Sequence, residues 1–540
     1  MSEKPAPIHW QHRVVSYFEA APNLGAGCIL LLGFLLRLWK ASGTFLNGDE
    51  AMHFLAANKP SLMEAYRASL NLAHPPLLIL FLHVWRRFGT SELFLRLPSV
   101  IAGTIFCWIF FRWATRLLGP APGWVGLLLV SFLPPLIELS AEVRQYPLLL
   151  CFLIAAAYAL ELALERNSGG MMISFFAFLY LAMLTHFSAM LFAGAAGAYS
   201  VWRLVSNRSS RRVVAIWIAG QVCVVGLFLV LYQTHISSLR GSPADLHMQA
   251  LLSKSYFHYG HDYLLAFVFA RTFGVFQYTF GQLAVGDVVG VPFLAGVVLL
   301  LRGKSAAEGR GPSSRQLGLL IALPFAINCA AAVADLYPYG GTRHSAFLLP
   351  FAIAGFSLSV VKLSRQNLAT ALVVVLTTIA VCQLFGAPHR PYMRREDQRR
   401  VNMTLAMDAI RRQVPPGSMI VVDFQSSFLL RFYLCPDATP SGSPASEWRT
   451  YSCGGYRMIS ANPEVNIFSA DTFLPRWREI VTTYNVPPGQ DVWIFQAGWD
   501  IELARQLQEK FPEFHNLEPD SCGRNISLFK LTAPEAMPAI

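Results

Sequence analysis

The chain has 540 residues, of which 54% are hydrophobic and 14% charged, and its formal net charge is +11. A soluble domain usually carries about 25% charged residues, so this depletion excludes an ordinary soluble enzyme and points to a bilayer. The positive balance would suit nucleic acid, but most Arg and Lys lie in short loops between apolar runs, where charge sets topology, so no nucleic-acid partner is expected.

In chain order, apolar runs of spanning length fall at 24–40, 94–111, 123–139, 146–164, 171–185, 188–204, 213–233, 287–301, 317–334, 345–361 and 368–386. The expectation is a polytopic α-helical membrane protein with about eleven spans. The first run lacks a small-residue cleavage pattern and reads as a retained anchor. Alternate connections hold Arg112 and Arg116, then Arg166, then Arg203, Arg208, Arg211 and Arg212, then Arg302, Lys304, Arg310 and Arg315, then Lys362 and Arg365. The positive-inside rule makes those loops and the N-terminus cytoplasmic, so the opposite loops and the tail lie outside, in a cell inner membrane. His74 to Arg87 is apolar but too short for a hydrocarbon core of about 30 Å, so it is predicted to lie in the interface, as is the aromatic stretch 262–285. Internal repeats are not evident.

Composition changes after Gly386. Residues 1–386 read as a membrane module and 387–540 as an extracytoplasmic α/β domain that opens on the charged run Arg394 to Arg400. A helical stretch near 396–413 ends at Pro415-Pro416-Gly417. Strand-like runs follow at 418–424, 491–496 and 526–531, with a helix-like stretch at 500–511. Six cysteines lie in apolar segments, and Cys435, Cys453 and Cys522 lie in the tail. An exported tail permits a Cys435–Cys453 disulfide, with Cys522 as the alternative partner.

The polar residues on the outer face are the candidates for chemistry. Asp49-Glu50 follows the first span, where paired carboxylates either supply a general base or form a solvated turn after Asn47-Gly48. Glu142 and Arg144 could orient an acceptor and hold an anion, or form a plain interfacial salt bridge, and Tyr146 opens the next span. Arg96 and Arg343-His344 open two further spans at the same face, where an arginine either snorkels or meets a membrane-borne phosphate. His74, before Pro75-Pro76, could bind phosphate or a metal, or merely cap the chain.

Asp49-Glu50, His74-Pro-Pro-Leu77, Ser91-Glu-Leu to Arg96-Leu-Pro98, Glu142-Val-Arg-Gln-Tyr146 and Thr185-His-Phe187, in this order, resemble the GT-C membrane glycosyltransferases of the protein O-mannosyltransferase and aminoarabinose-transferase type. The resemblance covers residues 24 to 205, and 317–362 loosely. It implies a GT-C architecture and an inverting transferase that takes a sugar from a polyprenyl-phosphate donor in the membrane lipid to an extracytoplasmic acceptor. It also implies that Asp49 is the catalytic base, that Glu50 shapes the acceptor site, and that Arg96 and Glu142 are functional, with Arg144 and Tyr146 completing their motif. His74 falls where relatives carry a motif residue that can lie near a metal, so a divalent metal is the one cofactor the resemblance leaves open. The family's Gly-Lys is missing after Leu77, where Leu78 stands, so Arg96, Arg144 and Arg343 are the expected phosphate clamp.

The main rival is a transporter or lipid flippase, which would place polar groups at helix midpoints, where few occur beyond Gln221 and Asn328. A non-catalytic scaffold presenting the tail is the other alternative.

Overall fold

The computed structural model describes residues 22–303, 310–365, 367–386, 397–441, 448–462, 466–499, 501–511, 514, 517, 520–523 and 525–534. Lys304 and Arg394–Glu396 lie outside the described residues. Among those described, eight helices are long and apolar enough to cross a membrane, or nine if Pro120–Phe132 and Pro134–Ser140 form one bent span. The expected count of eleven is not reached by that standard. Gly169–Thr185 is apolar but shorter, and Ala189–Ser206 is rich in Gly and Ala and contains the buried Arg203. The 262–285 stretch contains another short apolar helix, Leu264–Phe280. Within 74–87 the helix is only Leu77–Trp85, nine residues, well short of a bilayer.

The 58° bend between Pro120–Phe132 and Pro134–Ser140 has a local cause. Pro134 and Pro135 have no N–H to offer the carbonyls four residues earlier, those of Val130 and Ser131. Arg37 replaces both donors: its Nη2 donates to Val130 O at 2.8 Å and its Nη1 to Ser131 O at 3.0 Å. A buried guanidinium from the first span thus satisfies backbone groups that a membrane interior cannot leave open.

The tail builds a seven-stranded sheet from β1 (Met419–Val422), β2 (Pro440–Ser441), β3 (Trp448–Cys453), β4 (Tyr456–Ala461), β5 (Asp491–Gln496), β6 (Asp520–Ser521) and β7 (Ser527–Thr532). Its order is β2-β3-β4-β1-β5-β7-β6, with β1 parallel to both β4 and β5 and the outer pairs antiparallel. Cys435 is bonded to Cys453, joining the end of helix Phe424–Leu434 to β3.

Alternation along β1 sends Met419 and Val421 to one face of the sheet and Ile420 and Val422 to the other. The first face packs on Phe473, Trp477, Ile480 and Leu507 from the helices Ala470–Thr483 and Leu503–Lys510. The second shares a single core with Phe45, Leu46, Phe54, Leu55, Leu78 and Leu95 of the membrane module. The tail is therefore packed directly on the segment that carries the acidic pair.

Candidate active site

Asn47-Gly-Asp-Glu50 is a helix start rather than a loop turn. Asn47 Oδ1 accepts from Glu50 N, and Glu50 Oε2 accepts from Asn47 N, both at 2.9 Å, which makes a capping box for helix Gly48–Ala57. Glu50 is fully buried, and its Oε1 also accepts from Val143 N at 2.9 Å. Two charge-assisted bonds from Arg96 complete its shell, Nε to Oε1 and Nη2 to Oε2, each 2.7 Å.

Arg96 is occupied as completely. Beyond Glu50 it donates to the carbonyls of Ala41, Thr44 and Phe45 and to Thr44 Oγ1, at 2.8–3.0 Å. At 2% exposure it has no face left for a phosphate, which corrects the expectation that it joins the clamp. A buried charge needs this degree of satisfaction, and here the pair fixes the loop that precedes the acidic helix.

Asp49 points the other way. Its Oδ2 accepts from Arg144 Nη1 at 2.8 Å and from Arg343 Nη2 at 3.0 Å. These arginines come from the turn before span Tyr146–Arg166 and from the start of Arg343–Leu363, so three distant segments converge on one carboxylate oxygen. Glu142 is adjacent through Asn47, whose Nδ2 donates to its Oε1 at 3.1 Å. The Arg144 guanidinium lies over the Tyr146 ring, 5.6 Å from its centroid, and Tyr146 neighbours the His186 ring, which is near His344.

On the remaining side stands a pair of buried imidazoles. His53 Nε2 and His74 Nε2 are 2.6 Å apart, and His53 Nδ1 lies 2.5 Å from the Asp49 carbonyl oxygen. A carbonyl only accepts, so His53 carries its proton on Nδ1, and the close contact between the two Nε2 atoms then needs the proton of His74 on Nε2 in preference to its long 3.4 Å approach from Nδ1 to Pro75 O. Burial lowers both groups, His53 well below the usual value and His74 to about 4, with the Arg144 charge adding to the shift at His74. Two facing nitrogens could also hold a cation, but among the described residues no group of three or more His, Cys, Asp or Glu side chains gathers as a metal site.

Residues 73–233 match the family model described as dolichyl-phosphate-mannose-protein mannosyltransferase. The fold is similar to that of ArnT from Cupriavidus metallidurans. The crystal structure bound to undecaprenyl phosphate is 11% identical, has a TM-score of 0.52, and aligns over 95% of this chain and 99% of that one. The apo structure is 10% identical with a TM-score of 0.53, over 96% and 100% of the two chains. The chain resembles the GT-C membrane glycosyltransferases. No curated protein sequence matches it. The contacts above link Asp49 to Arg144 and Arg343, Glu50 to Arg96, and Asn47 to Glu142, with His74 against His53 and His344 beyond His186 and Tyr146.

His53 and Tyr433 were not singled out from the sequence. His53 is four residues after Asp49 and so on the same helical face, a signal the sequence did contain. Tyr433, which donates to Glu92 Oε1 at 3.1 Å from the tail, had no such signal, because its contact spans 341 positions.

Proposed function

We propose that the protein is an inverting glycosyltransferase that moves a sugar from a polyprenyl-phosphate donor to an acceptor hydroxyl or amine outside the cytoplasm, with Asp49 as general base. The observation that carries this is the single carboxylate facing two guanidinium groups at the mouth of the membrane module. Support for the donor class comes from the family match and from the polyprenyl phosphate in the ArnT crystal structure. No soluble nucleotide-sugar site is required.

Arg144 and Arg343 hold the donor phosphate, and loading it between them releases Asp49 to the acceptor. The carboxylate then takes the acceptor's proton, the acceptor atom bonds to the anomeric carbon from the face opposite the phosphate, and the bond from that carbon to the phosphate oxygen breaks. The leaving phosphate changes from a diester to a monoester and gains charge, which the two arginines stabilise. Glu142, Tyr146, His74 and His344 line the surrounding site. Glu50 and Arg96 act as positioning residues.

In this assignment residues 1–386 form the transferase module and 387–540 the extracytoplasmic domain, in a cell inner membrane with the N-terminus inside. The basic loops support that orientation. A transporter is not favoured, because these charges collect at one face rather than along a path across the bilayer.

The test is Asp49→Asn, which is nearly isosteric and leaves the fold in place. With purified protein and radiolabelled polyprenyl-phosphate sugars, turnover should fall about 10²- to 10⁴-fold. Wild-type turnover would overturn the assignment.

A further inference from the structure

Residues 43–46 carry the chain from the first span to the acidic helix, and their backbone is held from two sides. From the membrane module, Arg96 takes the carbonyls of Thr44 and Phe45. From the tail, Arg400 N donates to Gly43 O at 2.8 Å, and Gln398 closes a double contact on Phe45. There Phe45 N donates to Gln398 O at 3.1 Å and Gln398 Nε2 donates to Phe45 O at 2.8 Å. Leu46 N donates to Tyr433 Oη at 3.2 Å, and the same hydroxyl donates to Glu92 on the membrane side. The antiparallel bridge between Thr44 and Arg399 makes the loop one side of a two-stranded contact with the tail.

The tail also reaches the residue next to Asp49. Helix Phe424–Leu434 packs on Gly48–Ala57 so closely that a Cβ at Gly48 would lie 2.1 Å from Gln425 Oε1. Gln425 is buried, and its Nε2 donates to Asn466 Oδ1 at 3.0 Å, which holds the amide against the helix start. The inter-domain contact therefore runs along residues 43–48 and ends on the residue before Asp49.

We propose that the tail is a positioning element of the transferase site, in which Gln398, Gln425 and Tyr433 hold residues 43–48, and through them Asp49, in the pose that accepts the proton. This rests on Asp49 being the base. Proton transfer requires hydrogen-bond reach, and a displacement of about 1 Å can cost on the order of 10²-fold in rate.

In the full-length protein, Tyr433→Phe and Gln398→Ala should each lower kcat by roughly tenfold with donor KM within about twofold, since they loosen the base and leave Arg144 and Arg343 in place. Hydrogen exchange should quicken at residues 43–50 while β1 and β5 keep their protection. Gly48→Ala should lower kcat as well, and Gln425→Ala combined with it should restore the rate, because shortening that side chain makes room for the new methyl group. Wild-type kcat in both Tyr433→Phe and Gln398→Ala would overturn the inference. So would a fall in kcat accompanied by lost protection in β1 and β5, which would mark simple unfolding of the tail. If Asp49→Asn kept its activity while the tail variants lost theirs, the assignment of the base would fail and the tail's hold on the loop would stand.

Discussion

Arg96, Arg144 and Arg343 look alike in the sequence, each an arginine at the start of an apolar helix on one face. Their partners separate them. Arg96 is saturated by Glu50 and loop carbonyls, whereas Arg144 and Arg343 meet at Asp49. Arg96→Ala would leave Glu50 as a buried charge short of its partner, and a loss of about 3–5 kcal/mol in stability is expected, measured by thermal or denaturant unfolding in detergent. Arg144→Lys and Arg343→Lys keep the charge but lose the planar fork. They should fold normally and lose more in kcat than they gain in donor KM, as steady-state kinetics would show. All three lie beside the acidic pair that the motifs contain, Arg96 against Glu50 and the other two against Asp49. The motifs did not separate the two environments, because which acceptors surround each guanidinium depends on distant segments.

His74 gives a pH dependence with a definite sign. Its folded-state value is about 4, against 6.5 for the ordinary imidazole. The unfolded chain therefore takes up the proton first, so stability falls as pH drops from about 6.5 toward 4 and is unaffected by this group above that window. His53 is shifted in the same direction and acts with it. Thermal midpoints of His74→Gln should fall less steeply than wild type between pH 6.5 and about 4.5, and equal slopes would mean that this imidazole is not held neutral by burial.

Among the elements, the broken span shows how far a sequence can be read. Pro134-Pro135 announces an interruption, but nothing local says what satisfies the two freed carbonyls. The answer, Arg37, lies 93 and 94 positions away and reads by itself as an ordinary charge in a membrane helix. Arg37→Leu keeps the bulk and removes both donors, leaving Val130 O with Cys107 Sγ at 3.3 Å and Ser131 O orphaned, and it should cost on the order of 1–3 kcal/mol in detergent-solubilised protein. An unchanged unfolding midpoint would mean that water or a neighbouring hydroxyl takes over. Helix Phe424–Leu434 illustrates the opposite difficulty. Residues 425 to 431 are all buried, so the helix has no polar stripe and its sequence shows no 3.6-residue alternation. The strands 491–496 and 527–532 were legible because the sheet gives them a clear two-residue pattern or a short apolar run between turns.

At the scale of the molecule, the number of spans expected from the sequence exceeds the eight or nine helices that meet length and apolarity among the described residues. The excess comes from Gly169–Thr185 and Ala189–Ser206, which are helices in the expected places but fall short on length or apolar content. Orientation rests on the basic loops. A reporter fused after Gly386 is expected to be active only outside the cytoplasm and one fused at Arg310 only inside, and the same side for both would refute the proposed orientation. The change of composition near residue 386 is visible in the sequence. The union of the two parts is not, because the contacts that join them pair residues near 45 with residues near 400 and 430.

That union has a consequence for how the protein comes into being. Ribosomes deliver the chain from its N-terminus, so the first span and the acidic helix are made long before β1, β5 and β7 exist. The shared core around Phe45, Leu46, Ile420, Val422 and Leu528 can close only after the last strand has been made. Until then the loop before Asp49 lacks its partners from Gln398, Arg400 and Tyr433. A nascent or truncated copy would sit in the bilayer with all its spans and without the tail's hold on the loop before Asp49, so the proposed site would be completed only by the last residues to be made.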